Sequence, residues 1–506
     1  LSLDMNAYLS FNRSIEKHNI NAQAGLNLKQ SGNTSISAQY SGFPSGTLHS
    51  SNYAREIVGK PNSSEDTNRL VGFLAALNYS YDNIYLLDAS CRIDGSSAFG
   101  TNKKFAPFWS VGVGLNLHNY KFMENLSCIN QFKVRATYGQ TGKVNFPAYA
   151  ARTTYEVLSD EWFKTGYGVA LKAMGNKNLT WETTNTIDAG FELEMFKNMF
   201  YVKFSYYDKK TIDLINDVTI PSGSGFTTYI DNIGEVSNKG YEIDLRLNLI
   251  RKKEMNLNVN ANFAHNKNKI LKIAESLKAY NREVQSYQEN KTGGVKTAPF
   301  TQYIEGGSLN SIWGMRSMGI NPSTGEEVFI LADGTSSDVW KASNQMVLGS
   351  NDPYAQGTFG VNFSYKQFSF YTSFMFEFGG QRYNSTLVNK VENANPYIQN
   401  VDKRLLSDRW EKPGDNAKFK KLESGRTGVH QTQATSRFVQ DYNMLSWNSL
   451  SIGYDLPGKL LEKIYLTMVR FEVGANDILH LSSVKQERGL QYPFARTINF
   501  SVKITI

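Results

Sequence analysis

Long apolar runs are missing from this chain. No stretch approaches the roughly 20 apolar residues a spanning helix requires. VGFLAALNY (71–79) is among the more apolar segments, and it alternates in part. A helical membrane protein is thereby excluded. Cysteine is scarce: Cys91 and Cys128 are the only two, which provides neither a disulfide framework nor a metal-ligand cluster. The six histidines do not gather at metal spacing, and there is no HExxH, Walker A loop or GxSxG elbow. LADGTSSD (331–338) has a calcium-loop flavour but lacks the full ligand pattern and the closing Glu, so it reads as a turn. No catalytic constellation is visible; neither an enzyme, a cofactor nor a metal is expected. The net charge of +8 raises nucleic acid, yet the 54 Lys and Arg are scattered among 46 acidic residues, which describes a solvated basic surface and no nucleic-acid partner. Nor does a basic segment followed by an apolar one open the chain; LSLDMNAYLSF starts in the middle of a pattern.

Aromatics and alternation are abundant. The chain holds 28 Tyr and 30 Phe, yet its mean hydropathy is −0.41. The organising signal is period two. In GYEIDLRLNL, Tyr241, Ile243, Leu245, Leu247 and Leu249 oppose Glu242, Asp244, Arg246 and Asn248. In MNLNVNANF, Met255, Leu257, Val259, Ala261 and Phe263 alternate with four asparagines. FKVRATY (132–138), VGVGLNL (111–117), FGVNFSY (359–365) and FYVKFSYY (200–207) read the same way. Successive Cβ atoms of a strand point to opposite faces, so each run has one apolar and one polar face. That alone fits any half-buried antiparallel sheet.

Two features point to a membrane barrel. The polar face carries Asn, Ser, Thr, Gly and paired charges over nearly the full strand length, while the apolar face is broad and rich in rings, as a lipid-facing band requires. Connections also alternate short and long. EKHN (16–19), DN (82–83), KN (197–198), RKKE (251–254), KQ (366–367) and GKLLEK (458–463) are tight; 118–130 is longer, with room for a helical turn. Between them lie polar segments near 32–68, 95–107, 141–183, 213–237, 268–353, 380–436 and 480–490. Loops beyond about 12–15 residues are uncommon in compact domains. Short periplasmic turns and long extracellular loops explain them. Strands are predicted near 6–15, 20–31, 69–81, 84–94, 108–117, 131–140, 184–196, 199–212, 238–250, 255–267, 354–365, 368–379, 437–457, 464–479 and 491–506. Bacterial barrels have even strand numbers, so this odd count of about fifteen predicts further strands outside residues 1–506.

The block LDASCRIDGSSAFGTNKKFAPFWSVGVGLNL (87–117) resembles the R-x-DGSS-x-F-G … F-P-S-V-x-x-G-W signature of SusC/RagA-like TonB-dependent transporters of Bacteroidetes. The resemblance continues in order through FKVRATYGQTG, NKNLTWETTNTIDAGFE, YYDKKTIDLI, NIGEVSNKGYEIDL, LGSNDPYAQGTFGVNFSYKQFSF, DRWEKPGD and DYNMLSWNSLSIGYDLP, spanning most of the chain. Departures are Phe108-Trp109, where the family has Pro, and a terminal Ile506 in place of the common aromatic. The resemblance implies an all-β antiparallel barrel of 22 strands filled by a plug, of which residues 1–506 form the C-terminal part of about fifteen strands without the plug. It also implies an outer-membrane setting in the lipid bilayer with lipopolysaccharide, a SusD-like surface lipoprotein, and TonB reached through a missing N-terminal part. The implied activity is active import of an oligomeric nutrient, a glycan or a peptide. The alternative is a non-transporting barrel that serves as a scaffold subunit.

Face assignment then yields candidate residues. On 84–94, Asp88, Ser90, Arg92 and Asp94 share the lumen side, while Tyr85, Leu87, Ala89, Cys91 and Ile93 face lipid. Arg92, Asp94, Asp244 and Arg246 line the lumen, pairing with one another or with the plug. Asn248, on that side, is expected to be dispensable for folding. The loop aromatics Trp162, Tyr167, Trp313 and Trp340 are candidates for stacking on substrate; the plainer reading is that they pack long loops against each other or a lid.

Overall fold

The computed structural model describes all residues except 1, 45, 49, 100–103, 124, 144–148, 150, 177–178, 220–227, 233, 291–294, 398–399, 423–430, 487–494 and 506. Fifteen strands form one sheet in which every strand pairs with its neighbours in chain order. They are β1 (Ser2–Ile15), β2 (His18–Ser41), β3 (Glu56–Tyr81), β4 (Tyr85–Ser96), β5 (Phe105–Asn116), β6 (Ile129–Lys143), β7 (Glu182–Met195), β8 (Phe200–Ile212), β9 (Gly234–Lys252), β10 (Met255–Ile273), β11 (Ala355–Tyr365), β12 (Phe368–Tyr383), β13 (Val439–Asp455), β14 (Met468–Ser482) and β15 (Thr497–Thr505). No helix among the described residues is long and apolar enough to cross a membrane.

The tight turns follow from residue type. Between β3 and β4, where Tyr81 pairs with Tyr85, Asp82 and Asn83 have φ of 55° and 54°, left-handed positions that Asx side chains tolerate best, and the Ile84 N–H closes the turn on the Tyr81 carbonyl at 3.0 Å. Lys17 Nζ meets the Asp82 carboxylate at 2.5 Å, tying the β1–β2 turn to this one. The longer link after β5 holds a 3₁₀ turn, Leu117–Asn119.

The long connections are not structureless. The segment 32–68, expected as a loop, is mostly strand: β2 and β3 continue pairing from Gly32↔Thr67 to Ser41↔Glu56, with one irregularity between Ser37 and Gln39. The reason lies in Ile36, Ala38 and Tyr40, which keep the alternation going among Ser and Gln that prefer an extended, solvated ribbon. Further along, Thr154–Phe163 and Gly166–Ala173 make a hairpin, and helix α1 spans Glu275–Glu289.

The chain divides into two compact units, residues 1–113, 138–185 and 212–233 in the first and the remainder in the second. Neither has its core between sheet faces. In the first unit, Phe99, Phe108 and Trp181 form a buried cluster. In the second, Leu387, Val388, Val391, Phe419 and Phe438 do so. The sheet itself leaves large side chains exposed on its apolar face, among them Phe73 (52%), Val113 (55%) and Phe500 (79%), as expected of a surface meant for a non-aqueous neighbour.

The first cluster explains the opening block. Phe99 comes from DGSSAFG, Phe108 from FAPFWSVG and Trp181 from NLTWE. Phe99 stacks on Trp181 at 4.4 Å between ring centroids and Phe108 meets it edge-on at 5.3 Å. Three separated pieces of sequence thus converge on one knot. Gly142 makes room for it, since a Cβ there would lie 2.0 Å from the Phe108 ring. Gly142→Ala is therefore expected to cost about 1–3 kcal/mol through overpacking, read as a lower thermal unfolding midpoint. An unchanged midpoint would show that the ring can move aside.

Candidate ligand-facing surface

Within each unit, register turns the alternation into an apolar and a polar face. Phe73↔Ile93, Ala75↔Cys91 and Leu77↔Ala89 place apolar side chains together, while Leu74↔Arg92, Ala76↔Ser90 and Asn78↔Asp88 share the other side. In the second unit, Val202↔Leu245 and Phe204↔Ile243 alternate with Tyr201↔Arg246 and Lys203↔Asp244. The polar side continues through Arg246↔Asn260 and Asp244↔Asn262 to Asn260↔Gly360 and Asn258↔Asn362.

Each of the four candidate lumen residues lies on the polar face of its own unit. Arg92 Nε meets Asp94 Oδ1 at 2.5 Å, both side chains part-buried. Arg246 lies with its guanidinium 5.0 Å from the Tyr201 ring centre, a cation–π contact. Asp244 sits opposite Lys203 and Asn262. Two charged clusters of the polar side in the second unit, around Arg135 and Arg470, were not singled out from the sequence. Arg135 donates to Asp188 at 2.5 Å and to Ser205 at 2.6 Å. Arg470 donates to Ser369 Oγ at 2.7 Å, between Asp455 and Glu472, each 3.6 Å away. It borders a polar recess of about 360 Å³ that Asn256, Asn258, Asn362 and Ser451 also line. Asp455 Oδ1 is buried without a hydrogen-bond partner.

Asn248 departs from expectation. Its Nδ2 donates to the Asn198 carbonyl at 2.7 Å, its Oδ1 accepts from Asn258 at 2.5 Å, and its N–H bonds the Met199 carbonyl at 2.8 Å. It fastens the β7–β8 turn, so truncation there removes two side-chain bonds.

The loop aromatics separate into different environments. Trp162 pairs in register with Tyr167 across the hairpin; its side chain lies outside the described residues, and Tyr167 is 56% exposed. Trp313 is buried, with no partner for its indole N–H. Trp340 donates its indole N–H to the Ala434 carbonyl at 3.0 Å. The same carbonyl accepts from Met315 N at 3.0 Å, so Trp340 and the strand of Trp313 meet at one backbone group.

The second unit also holds a charge cluster that the sequence did not signal. Arg437 grips Glu327 through two bonds of 2.8 and 2.7 Å and reaches Glu392 at 2.7 Å. Both carboxylate side chains are fully buried. Thr432 Oγ1 and the Lys420 N–H also donate to Glu392, at 3.1 and 3.3 Å. Burial pushes the Glu392 carboxyl up, but the charge and hydrogen bond of Arg437, helped by Lys420 and Arg409, outweigh it and hold the group below the ordinary carboxylate range. Segments near 327, 392, 409, 420 and 437 are thereby fastened into one platform.

Comparison with known proteins bears on this arrangement. Residues 3–314 match the family model "TonB dependent receptor-like, beta-barrel". The TonB-dependent receptor P3 of Formosa agariphila is 28% identical over 489 residues, covering 93% of this chain and 47% of that protein. The TonB-dependent receptor SusC of Bacteroides thetaiotaomicron is 30% identical over 212 residues, 41% of this chain and 21% of that one. Among solved structures, the RagAB peptide importer in its closed-closed state superposes with a TM-score of 0.82 at 22% identity, covering 100% of this chain and 55% of that one. The chain spans about half the length of the curated relatives it matches.

Proposed function

The chain belongs to the TonB dependent receptor-like β-barrel family, one of receptors and transporters rather than enzymes, and from that premise we propose that it forms much of the wall of an outer-membrane importer for an oligomeric nutrient. Its apolar face meets lipid. Its polar face meets a plug and the passing solute, and the long loops meet ligand under a SusD-like surface lipoprotein, with TonB supplying the work.

The observation that carries the reading is the polar face. A row of Asn, Ser and charged side chains requires water or a polar polypeptide opposite. A plug segment with donors and acceptors facing this row satisfies it. The sheet order begins with β1 and ends with β15, both exposed along their length. In hydrocarbon an unpaired strand edge costs several kcal/mol per group, so we propose that further strands of the same receptor pair with these edges.

Either an oligosaccharide or a peptide fits the loops. Tyr167 and Trp162 are the candidates there for stacking on ligand; Trp313 and Trp340 serve as loop supports. Deleting the gene and feeding mixed oligosaccharides or mixed peptides as sole carbon source tests the reading. Growth on one of the two is expected to fail, to return with the intact gene, and to stop when the proton-motive force is dissipated. Unimpaired uptake of both would reject the importer in favour of a scaffold.

A further inference from the structure

We propose that the apolar face of β1 to β5 carries, at the loop end, a binding groove for a phosphorylated lipid of the outer leaflet, with the headgroup on Arg69 and an acyl chain along Leu3, Leu28, Val71 and Phe105. The proposal rests on the reading that this face lies in the outer membrane.

The recess has a volume of about 470 Å³, within the range of ligand-sized clefts. Register places its walls on one face. Leu3 pairs with Gln30 and Gln30 with Arg69; Leu28 pairs with Val71 and Val71 with Gly95. Gly95 is what lets the groove close at its far side, because a Cβ there would lie 2.4 Å from the Phe105 ring. The floor is therefore aliphatic and aromatic, and its upper end is polar.

Arg69 occupies that upper end. Its Nε donates to Gln30 Oε1 at 3.1 Å and its backbone N–H to Ser97 Oγ at 2.9 Å. These contacts aim the guanidinium, and among the described residues no carboxylate pairs with it. The contrast with the loop ends of β8 and β9 is informative. On the same side as Tyr206 and Tyr241, Lys239 meets Asp208 and Lys210 meets Glu235, each at 2.7 Å. There the cations have protein partners; Arg69 has an amide, which leaves its planar fork for an external anion. A guanidinium at the polar edge of an apolar groove, on a lipid-facing wall, matches a phosphate headgroup with its chain below.

The test uses the protein purified from its own outer membrane and placed in phosphatidylcholine nanodiscs containing lipid A, with retained lipid counted by native mass spectrometry. Wild type is expected to hold lipid A. Arg69→Gln should lower retention on the order of tenfold, the size of a lost charge-assisted bond. Val71→Trp, which fills the groove and leaves the charge, should lower it comparably. Lys239→Gln, whose cation already has a carboxylate, should change nothing. Absence of lipid A from wild type, retention unchanged in either groove variant, or equal loss in Lys239→Gln overturns the site. Heat-modifiable migration of the same outer-membrane fraction reports separately on the barrel reading: a protein that is there and heat-modifiable but indifferent to Arg69 refutes only the lipid site.

Discussion

Arg437→Met is expected to loosen the loop platform by about 3–5 kcal/mol, the cost of removing one partner from a buried ion pair. The effect belongs at the upper end, because two fully buried carboxylates, Glu327 and Glu392, lose the same cation. Hydrogen exchange over residues 387–392 and 403–421 should speed up while the paired strands stay protected. The pH dependence gives a sharper signature. In the wild type Glu392 titrates below its ordinary range. Its contribution is therefore complete above the unfolded carboxylate value and is lost as pH falls through the lowered folded one. Without Arg437, burial dominates and the carboxyl of Glu392 shifts upward, so the variant should regain loop protection on acidification where the wild type loses it. Adding Glu327→Gln and Glu392→Gln should restore much of the loss at neutral pH. Equal exchange rates in wild type and Arg437→Met would show that the cluster fastens nothing.

How much of this was legible follows from the range of each interaction. Faces were readable because alternation is local: Arg92, Asp94, Asp244 and Arg246 could be placed on the polar side from their immediate neighbours. Tight turns were readable because Asp82-Asn83 tolerates a left-handed backbone whatever surrounds it. The platform was not. Arg437 and Glu327 are 110 residues apart and Arg437 and Glu392 are 45 apart, and nothing local to any of them signals a partner. The same limit applies to Trp181, whose motif was recognisable but whose contact with Phe99 was not. Trp313 shows the converse limit. An isolated ring in a long loop reads either as a ligand platform or as loop packing, and only the pairing of Ser311–Gly314 with Met346–Ser350, which accompanies its burial, distinguishes the two.

Leu245→Arg is expected to cost about 2–4 kcal/mol, the depth-dependent penalty for a cation on the lipid side of a barrel strand near the bilayer midplane. Leu245 pairs with Val202 and Ala261, so its neighbours on both sides are apolar. It also lies midway between Tyr241, an aromatic that suits one interface, and Leu249 beside the β9–β10 turn. A guanidinium there is about four residues along the strand from either rim, at a rise of about 3.3 Å per residue, so snorkelling to water recovers only part of the desolvation cost. The matched control is Asn260→Ala on the polar side, opposite Arg246 and Gly360; its amide makes no side-chain bond among the described residues, and the change should stay within about 0.5 kcal/mol. Asn248 would be a poor control, since it holds a turn. Both variants are compared by reversible denaturation in lipid and by the fraction assembled in the outer membrane. A large loss for Leu245→Arg beside a silent Asn260→Ala is the result a lipid-facing strand demands. Were the apolar face instead covered by another polypeptide, Leu245→Arg would be rescued by an acidic residue in that cover and would lose its dependence on bilayer thickness. Repeating the measurement in thinner bilayers therefore separates the two, because a thinner hydrocarbon layer shortens the distance to water and should lower the penalty only if lipid is what Leu245 touches.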